Sequence, residues 1–179
     1  IIVCDFDETI TSRDTISTLA GLPYLLNSSL EPKWRHFQDS YLRNYYKFQE
    51  DPHSFDVSCT NERTLPLLNS SVSIIKSSNF KNLVGREIKY QEEKRLLELS
   101  STNEMAKHKL FSGITSDQVS QYVEDEFRGS SSLLRTGFER FMSSLDNYEL
   151  YIISINWSKN FIRDVIGTGL IDSSRIFCN

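Results

Sequence analysis

The sequence predicts an α/β fold in which a parallel sheet flanked by helices is interrupted by a long, mainly helical insertion. Ile1-Ile2-Val3-Cys4 and Leu150-Tyr151-Ile152-Ile153 are continuous apolar runs rich in β-branched residues, the pattern of parallel strands buried on both faces. Each run stops at a small polar residue, Asp5 or Ser154, and open α/β sheets gather their ligands beyond the C-terminal ends of strands. The long interval between the runs has helical periodicity and no convincing strand.

The first strand delivers Asp5-Phe6-Asp7-Glu8-Thr9-Ile10-Thr11 into a loop. Trp34, Phe37, Tyr41, Tyr45 and Phe48 then form one helical stripe, and 91–110 is charged and helix-prone. Val119, Tyr122, Val123 and Phe127 form a second stripe, opened by Thr115 with Gln118 three positions on, a capping box. Polar breaks at 51–61 and 128–132 separate these pieces. Phe138, Phe141, Met142 and Leu145 fall at helical spacing, with Thr136 and Glu139 as another capping box. After the second strand, Ser158 caps a helix whose buried stripe is Phe161, Ile162, Val165 and Ile166, closed by Gly167 and Gly169. A third strand is expected at Arg175-Ile176-Phe177-Cys178. The economical division is an α/β core of 1–13 and 133–179 carrying a helical insertion over 14–132.

Composition narrows the function. Lys and Arg number 20 against 24 Asp and Glu, a net charge of −4, whereas a chain that lives by phosphate-backbone attraction is normally basic, so nucleic acid is not the expected partner. No apolar stretch approaches the roughly 20 residues that cross a bilayer, so no membrane partner is expected. Cys4, Cys59 and Cys178 are odd in number and far apart, as in reduced thiols of a cytoplasmic protein. His36, His53 and His108 have no paired spacing, which argues against a zinc site. The chain opens inside an apolar run at Ile1, without an initiator Met, and closes at Asn179 just after a candidate strand; it reads as a fragment.

The chemistry concentrates at Asp5 and Asp7. Two carboxylates at i and i+2 beyond a buried strand converge on a small volume, where their repulsion calls for a divalent cation or a shared proton. Two acids with oxygen donors favour Mg²⁺, which keeps several waters and binds phosphate oxygens. In that setting Asp5 attacks phosphorus while Asp7 supplies the proton to the leaving oxygen.

Asp5-Phe6-Asp7-Glu8-Thr9 resembles motif I, Asp-x-Asp-x-Thr, of the haloacid dehalogenase-like hydrolases. Ile152-Ile153-Ser154-Ile155-Asn156-Trp157-Ser158 is similar to their motif II, an apolar strand ending in Ser or Thr. Arg135-Thr136-Gly137-Phe138 resembles a stretch preceding motif II in the phosphoserine-phosphatase-like branch. Asp14, Trp34, Tyr41 and Asn156-Trp157-Ser158 are similar to the narrower set that includes thiamine-monophosphate-phosphatase-like domains. The resemblance implies a Rossmann-like sheet core with a helical cap inserted after motif I. It implies Mg²⁺-dependent hydrolysis of a small phosphorylated metabolite through an aspartyl-phosphate, with Asp5 as nucleophile and Asp7 as general acid and base. Mg²⁺ would sit on the Asp5 carboxylate and the Asp7 backbone carbonyl, and Ser154, Thr9, Asn156 and Lys159 would serve the substrate. The family's downstream Lys and further acids are missing, since Asp164 and Asp172 follow no strand. The C-terminal part of the core is therefore expected to be absent, and the chain as written to be a poor enzyme. Two alternatives stay open: a phosphoprotein phosphatase, and a truncated or degenerate member with a binding role.

Overall fold

The protein was analysed as a computed structural model that describes residues 1–50, 80–128, 132–144 and 148–179. Among these residues the fold is mixed α/β, with seven α-helices and a three-stranded parallel sheet. The strands are β1 (Ile2–Asp5), β2 (Leu150–Ile153) and β3 (Ile176–Phe177), in spatial order β1-β2-β3. Cys4 lies opposite Ile152 and Asp5 opposite Ile153, while Ile152 and Ile153 face Ile176 and Phe177. Because all three run the same way, the residues that follow each strand collect along one edge.

The helices are α1 (Ile16–Leu19), α2 (Gly21–Leu26), α3 (Trp34–Glu50), α4 (Phe80–Lys107), α5 (Ser116–Phe127), α6 (Phe138–Ser143) and α7 (Lys159–Ile166). A 3₁₀ turn, Ser173–Arg175, leads into β3. The chain divides into two compact units: Ile1–Leu30 with Phe111–Asn179, and Glu31–Leu110. This differs from the division at 14–132, since α1, α2 and α5 belong to the unit that holds the sheet. The reason is packing: Leu19, Leu22, Val119 and Val123 share one buried cluster with Phe6, Leu150, Ile152 and Ile176.

The helix ends follow local chemistry. The Thr115 hydroxyl accepts from the Gln118 amide while the Gln118 side chain accepts from the Thr115 amide, so that capping box forms. Ser158 caps α7 by accepting from the Phe161 amide (3.2 Å), and Phe161, Ile162, Val165 and Ile166 are buried as their spacing predicts. Burial of each such side chain stabilises by about 1.5–3 kcal/mol. The capping box expected at Thr136 and Glu139 does not form. Helix α6 starts one residue later, with Gly137 at its N-cap at φ 92°, a left-handed conformation that glycine adopts without a Cβ penalty. Leu145 and the break at 51–61 lie outside the described residues.

The expectation of strands buried on both faces needs correction. Leu150, Ile152 and Ile176 face the core cluster, but Val3, Ile153 and Phe177 are 57%, 58% and 55% exposed. The helices of this unit bury their apolar faces with the first set, and among the described residues none covers the second. The apolar runs therefore announced strands correctly without announcing how many faces are covered.

In the second unit α3 and α4 pair. Phe48 meets Tyr90, Tyr41 bonds Glu98, and His36 approaches Glu104, so the helices run antiparallel. The stripe Trp34, Phe37, Tyr41, Tyr45 and Phe48 is the protected side of α3, with Phe37 buried. No helix among the described residues is long and apolar enough to cross a membrane.

Candidate functional site at the strand ends

The loop after β1 is built around Phe6, whose ring is fully buried. The Phe6 carbonyl accepts from the Ile10 and Thr11 amides at 2.9 and 3.0 Å, which folds the loop back on itself. Core placement of Phe6 leaves Asp5 exposed and Asp7 half-buried on either side of it in sequence. Thr11 pins the turn, accepting from the Glu8 amide (3.1 Å) and donating to the Arg13 carbonyl (2.7 Å). Glu8 adopts φ 58°, a left-handed conformation uncommon outside glycine. The Arg135 guanidinium donates to the Glu8 and Thr9 carbonyls, and its amide donates to the Ile10 carbonyl. Arg135 thus clamps the strained turn from the other half of the unit.

The two acids have different surroundings. Asp5 accepts a hydrogen bond from the Thr9 hydroxyl on Oδ2 (3.2 Å) in an exposed setting. Asp7 is anchored through Oδ1, which accepts from the Thr15 amide (2.7 Å) and from the Thr15 hydroxyl. Its other oxygen lies 3.5 Å from Ser154 Oγ, at the end of β2. Thr15 and Asn156 are fully buried and Ser154 nearly so. Asn156 donates through Nδ2 to Thr15 Oγ1 (3.0 Å) and through its amide to Ser154 Oγ (3.0 Å). Its Oδ1 accepts from the Ser158 amide (3.1 Å), which ties the site to the start of α7. Asp7, Thr15, Asn156 and Ser154 form one polar network linking the loops after β1 and β2.

Of the residues singled out by sequence, the structure joins Asp7, Ser154 and Asn156 in this network and places Thr9 on Asp5. Lys159 is exposed at the first position of α7 and makes no hydrogen bond or ion pair with Asp5, Asp7 or Ser154 among the described residues. Its charge acts instead on Cys178, beyond β3; burial nonetheless raises that thiol above its ordinary pKa. Burial also raises the Cys4 thiol, with the Asp5 charge adding to the effect. Neither thiol is poised as a nucleophile at neutral pH. Asp164 is buried, paired with Arg163 (2.8 Å) and bonded by the Ser120 hydroxyl (2.6 Å), and Asp172 caps the 3₁₀ turn through the Ser174 amide. Both acids serve structure.

Sequence reasoning missed Thr15 and the clamping role of Arg135. The Thr15 signal was legible in part, because a Thr opening a helix usually caps it. Here Asp14 accepts from the Ile16 amide (3.0 Å), and the Thr15 hydroxyl is spent on Asp7.

The comparisons with known proteins correct the family. No family model matches the chain, and no solved structure matches it. The chain is 46% identical over 183 residues to Cold tolerance protein 1 of Saccharomyces cerevisiae, covering 100% of this chain and 55% of that protein. It is 28% identical over 171 residues to a CTO1 family protein of Schizosaccharomyces pombe, covering 92% of this chain and 48% of that one. The chain spans about half the length of the curated relatives it matches. Asp-x-Asp-x-Thr after a strand and an apolar strand ending in Ser are short patterns, and no family model matches the chain that carries them. The assignment to the haloacid dehalogenase-like hydrolases is therefore overturned: what runs over the full chain is homology to Cold tolerance protein 1.

Proposed function

We propose that the strand-end site hydrolyses the phosphate monoester of a small metabolite, with Asp5 as nucleophile and Asp7 as proton donor. The observation that carries this reading is the unequal treatment of the two acids. Asp5 stands exposed at the end of a parallel strand with a single hydroxyl partner, while Asp7 is fixed by a buried network. A nucleophile needs an accessible oxygen and an acid needs a fixed direction. Neither the sheet nor the relatives' names prescribe this reaction.

One oxygen of Asp5 attacks phosphorus and the bond to the leaving oxygen breaks. The leaving oxygen takes the proton carried on Asp7, which becomes a carboxylate. Asp7 then accepts a proton from water as that water attacks the aspartyl-phosphate, releasing inorganic phosphate and restoring Asp5. Anchoring of Oδ1 by Thr15 leaves Oδ2, the oxygen nearest Ser154, for proton exchange. The Ser154 hydroxyl, whose contact with Asp7 is long at 3.5 Å, would turn to donate to a phosphoryl oxygen, and Thr9 would hold Asp5 in orientation. The donor set, the Asp5 carboxylate with the Asp7 backbone carbonyl, suits a hard cation such as Mg²⁺, which Asp5 and Asp7 would hold through these oxygens while the Asp7 side chain keeps its proton role. Such an ion, when bound, neutralises phosphoryl charge. We read the sheet-bearing unit as a Rossmann-like core, with the helical unit inserted in sequence after the acidic loop.

The test is turnover of p-nitrophenyl phosphate with Mg²⁺. Asp5→Asn is expected to reduce kcat by about a thousandfold or more, and EDTA is expected to abolish turnover until Mg²⁺ is restored. Full activity in a folded Asp5→Asn protein would refute the nucleophile.

A further inference from the structure

The structure also gathers side chains that the strand-end reading does not use. His36 on α3, Glu104 near the end of α4 and His108 just beyond it place their ligand atoms within 4.8 Å of one another. Glu104 Oε1 lies 3.2 Å from His108 Nε2 and 3.7 Å from His36 Nε2, so one carboxylate oxygen stands between two imidazoles. Phe37 is buried and meets both rings edge-on, with centroids 5.4 Å from His36 and 5.8 Å from His108. That packing limits how far either ring turns away. His36 and Glu104 also line a cavity of about 300 Å³ with Ser40, Arg43, Ser100 and Ser101.

We infer that His36, Glu104 and His108 form a divalent transition-metal site, with Zn²⁺ as the ion that fits it best, independent of the chemistry assigned to Asp5 and Asp7. Two imidazole nitrogens and one carboxylate oxygen are a borderline donor set, poorly matched to Mg²⁺ or Ca²⁺ and well matched to zinc. Bonds of about 2.0–2.1 Å in a tetrahedron put ligand atoms about 3.3–3.4 Å apart. The two distances to Glu104 bracket that value, and the two histidine nitrogens already lie within 4.8 Å of each other. Three protein ligands leave the fourth position open, as in catalytic rather than purely structural zinc sites. Here two of the three ligands also face the cavity, so the open position takes water or a small ligand entering there. Arg43 on the cavity wall favours a ligand carrying a negative charge, a carboxylate or phosphate oxygen.

A cluster of two histidines and an acid also arises as a plain hydrogen-bonded group, and metal binding separates the two. The experiment titrates the purified, metal-free protein with Zn²⁺ against a chromophoric chelator and with Co²⁺ by visible absorption. The expected result is one tightly bound Zn²⁺ per chain, with any ion at Asp5 and Asp7 held more weakly, and the intense bands of a four-coordinate Co²⁺ site. His36→Ala, His108→Ala and Glu104→Gln should each weaken Zn²⁺ binding by at least about 10–100-fold, the loss already typical of removing a partner outside the ligand set. Circular dichroism of each variant establishes that it is folded. Should a variant fail to fold, the Co²⁺ spectrum of the unaltered protein decides, because an octahedral spectrum or no spectrum overturns the site. Glu124→Gln and Asp5→Asn should leave the affinity unchanged. Equal loss on Glu124→Gln, or Zn²⁺ binding indifferent to His36 and His108, would overturn the assignment.

Discussion

Thr15 carries more of the site than either acid reveals on its own. Its amide and hydroxyl both hold Asp7, and its oxygen receives the Asn156 amide group. Thr15→Val keeps the shape and removes the hydroxyl, leaving one buried donor of Asn156 unpaired. Loss of a buried partner costs about 1–3 kcal/mol, which a urea titration should register, and Thr15→Ser should restore most of it. Turnover should fall in the valine variant through kcat, because Asp7 loses direction rather than the substrate losing contacts. The place of Asp5 and Asp7 at the end of β1 was legible in the sequence because two acids follow an apolar run there. Thr15 was not, since its partners are brought in by loop folding and by a strand far along the chain. The pairing of His36 with His108 was hidden for the same reason, as their meeting depends on α3 and α4 lying antiparallel. Sequence spacing argued against a zinc site because it compares only residues near one another along the chain.

Helix and strand positions were the most legible features at the scale of the element. The stripes of α3, α5 and α7 were read from apolar spacing, and each protects the side that the spacing names. Caps were less legible, because a Ser or Thr with Glu or Gln three positions on marks a possible start and the backbone selects among the candidates. At α5 the box forms, whereas at α6 Gly137 takes the N-cap and Thr136 is exposed in the preceding turn. Thr115→Ala should therefore cost about 1 kcal/mol, while Thr136→Ala should stay within about 0.5 kcal/mol of the parent protein. Thermal or denaturant unfolding of the pair checks both values side by side. Equal losses would mean that α6 begins one residue earlier than the structure places it, with Thr136 as its N-cap.

For the molecule as a whole, the class was legible and the internal division was not. Alternation of strand and helix announces α/β, but which helices join the sheet depends on three-dimensional packing of Leu19, Leu22, Val119 and Val123. Helices α5 and α7 are joined across that core by Asp164, which is buried and held by Arg163 and by Ser120. Asp164→Ala leaves Arg163 without its partner and the Ser120 hydroxyl with only the Ser116 carbonyl (3.1 Å) as acceptor. Because the Arg163 side chain is 28% exposed and still reaches solvent, the loss is that of buried hydrogen bonds, about 1–3 kcal/mol, enough to lower the midpoint of unfolding for the sheet-bearing unit by several degrees. A loss under about 1 kcal/mol would show the pair to be marginal. The exposed apolar face of the sheet is the other large-scale feature that apolar runs failed to disclose, because a run records a strand and says nothing of the layer above it.

The phosphatase reading turns on whether a phosphoryl group ever resides on Asp5. Acid quenching of the Asp7→Asn protein after brief exposure to p-nitrophenyl phosphate and Mg²⁺, followed by peptide mass analysis, measures this directly. The reading predicts that the peptide containing Asp5 gains the mass of one phosphoryl group and that Asp5→Asn in the same background removes it. Turnover by the parent protein with no phosphoryl group on that peptide at any quench time, or with the group on another residue, would contradict it.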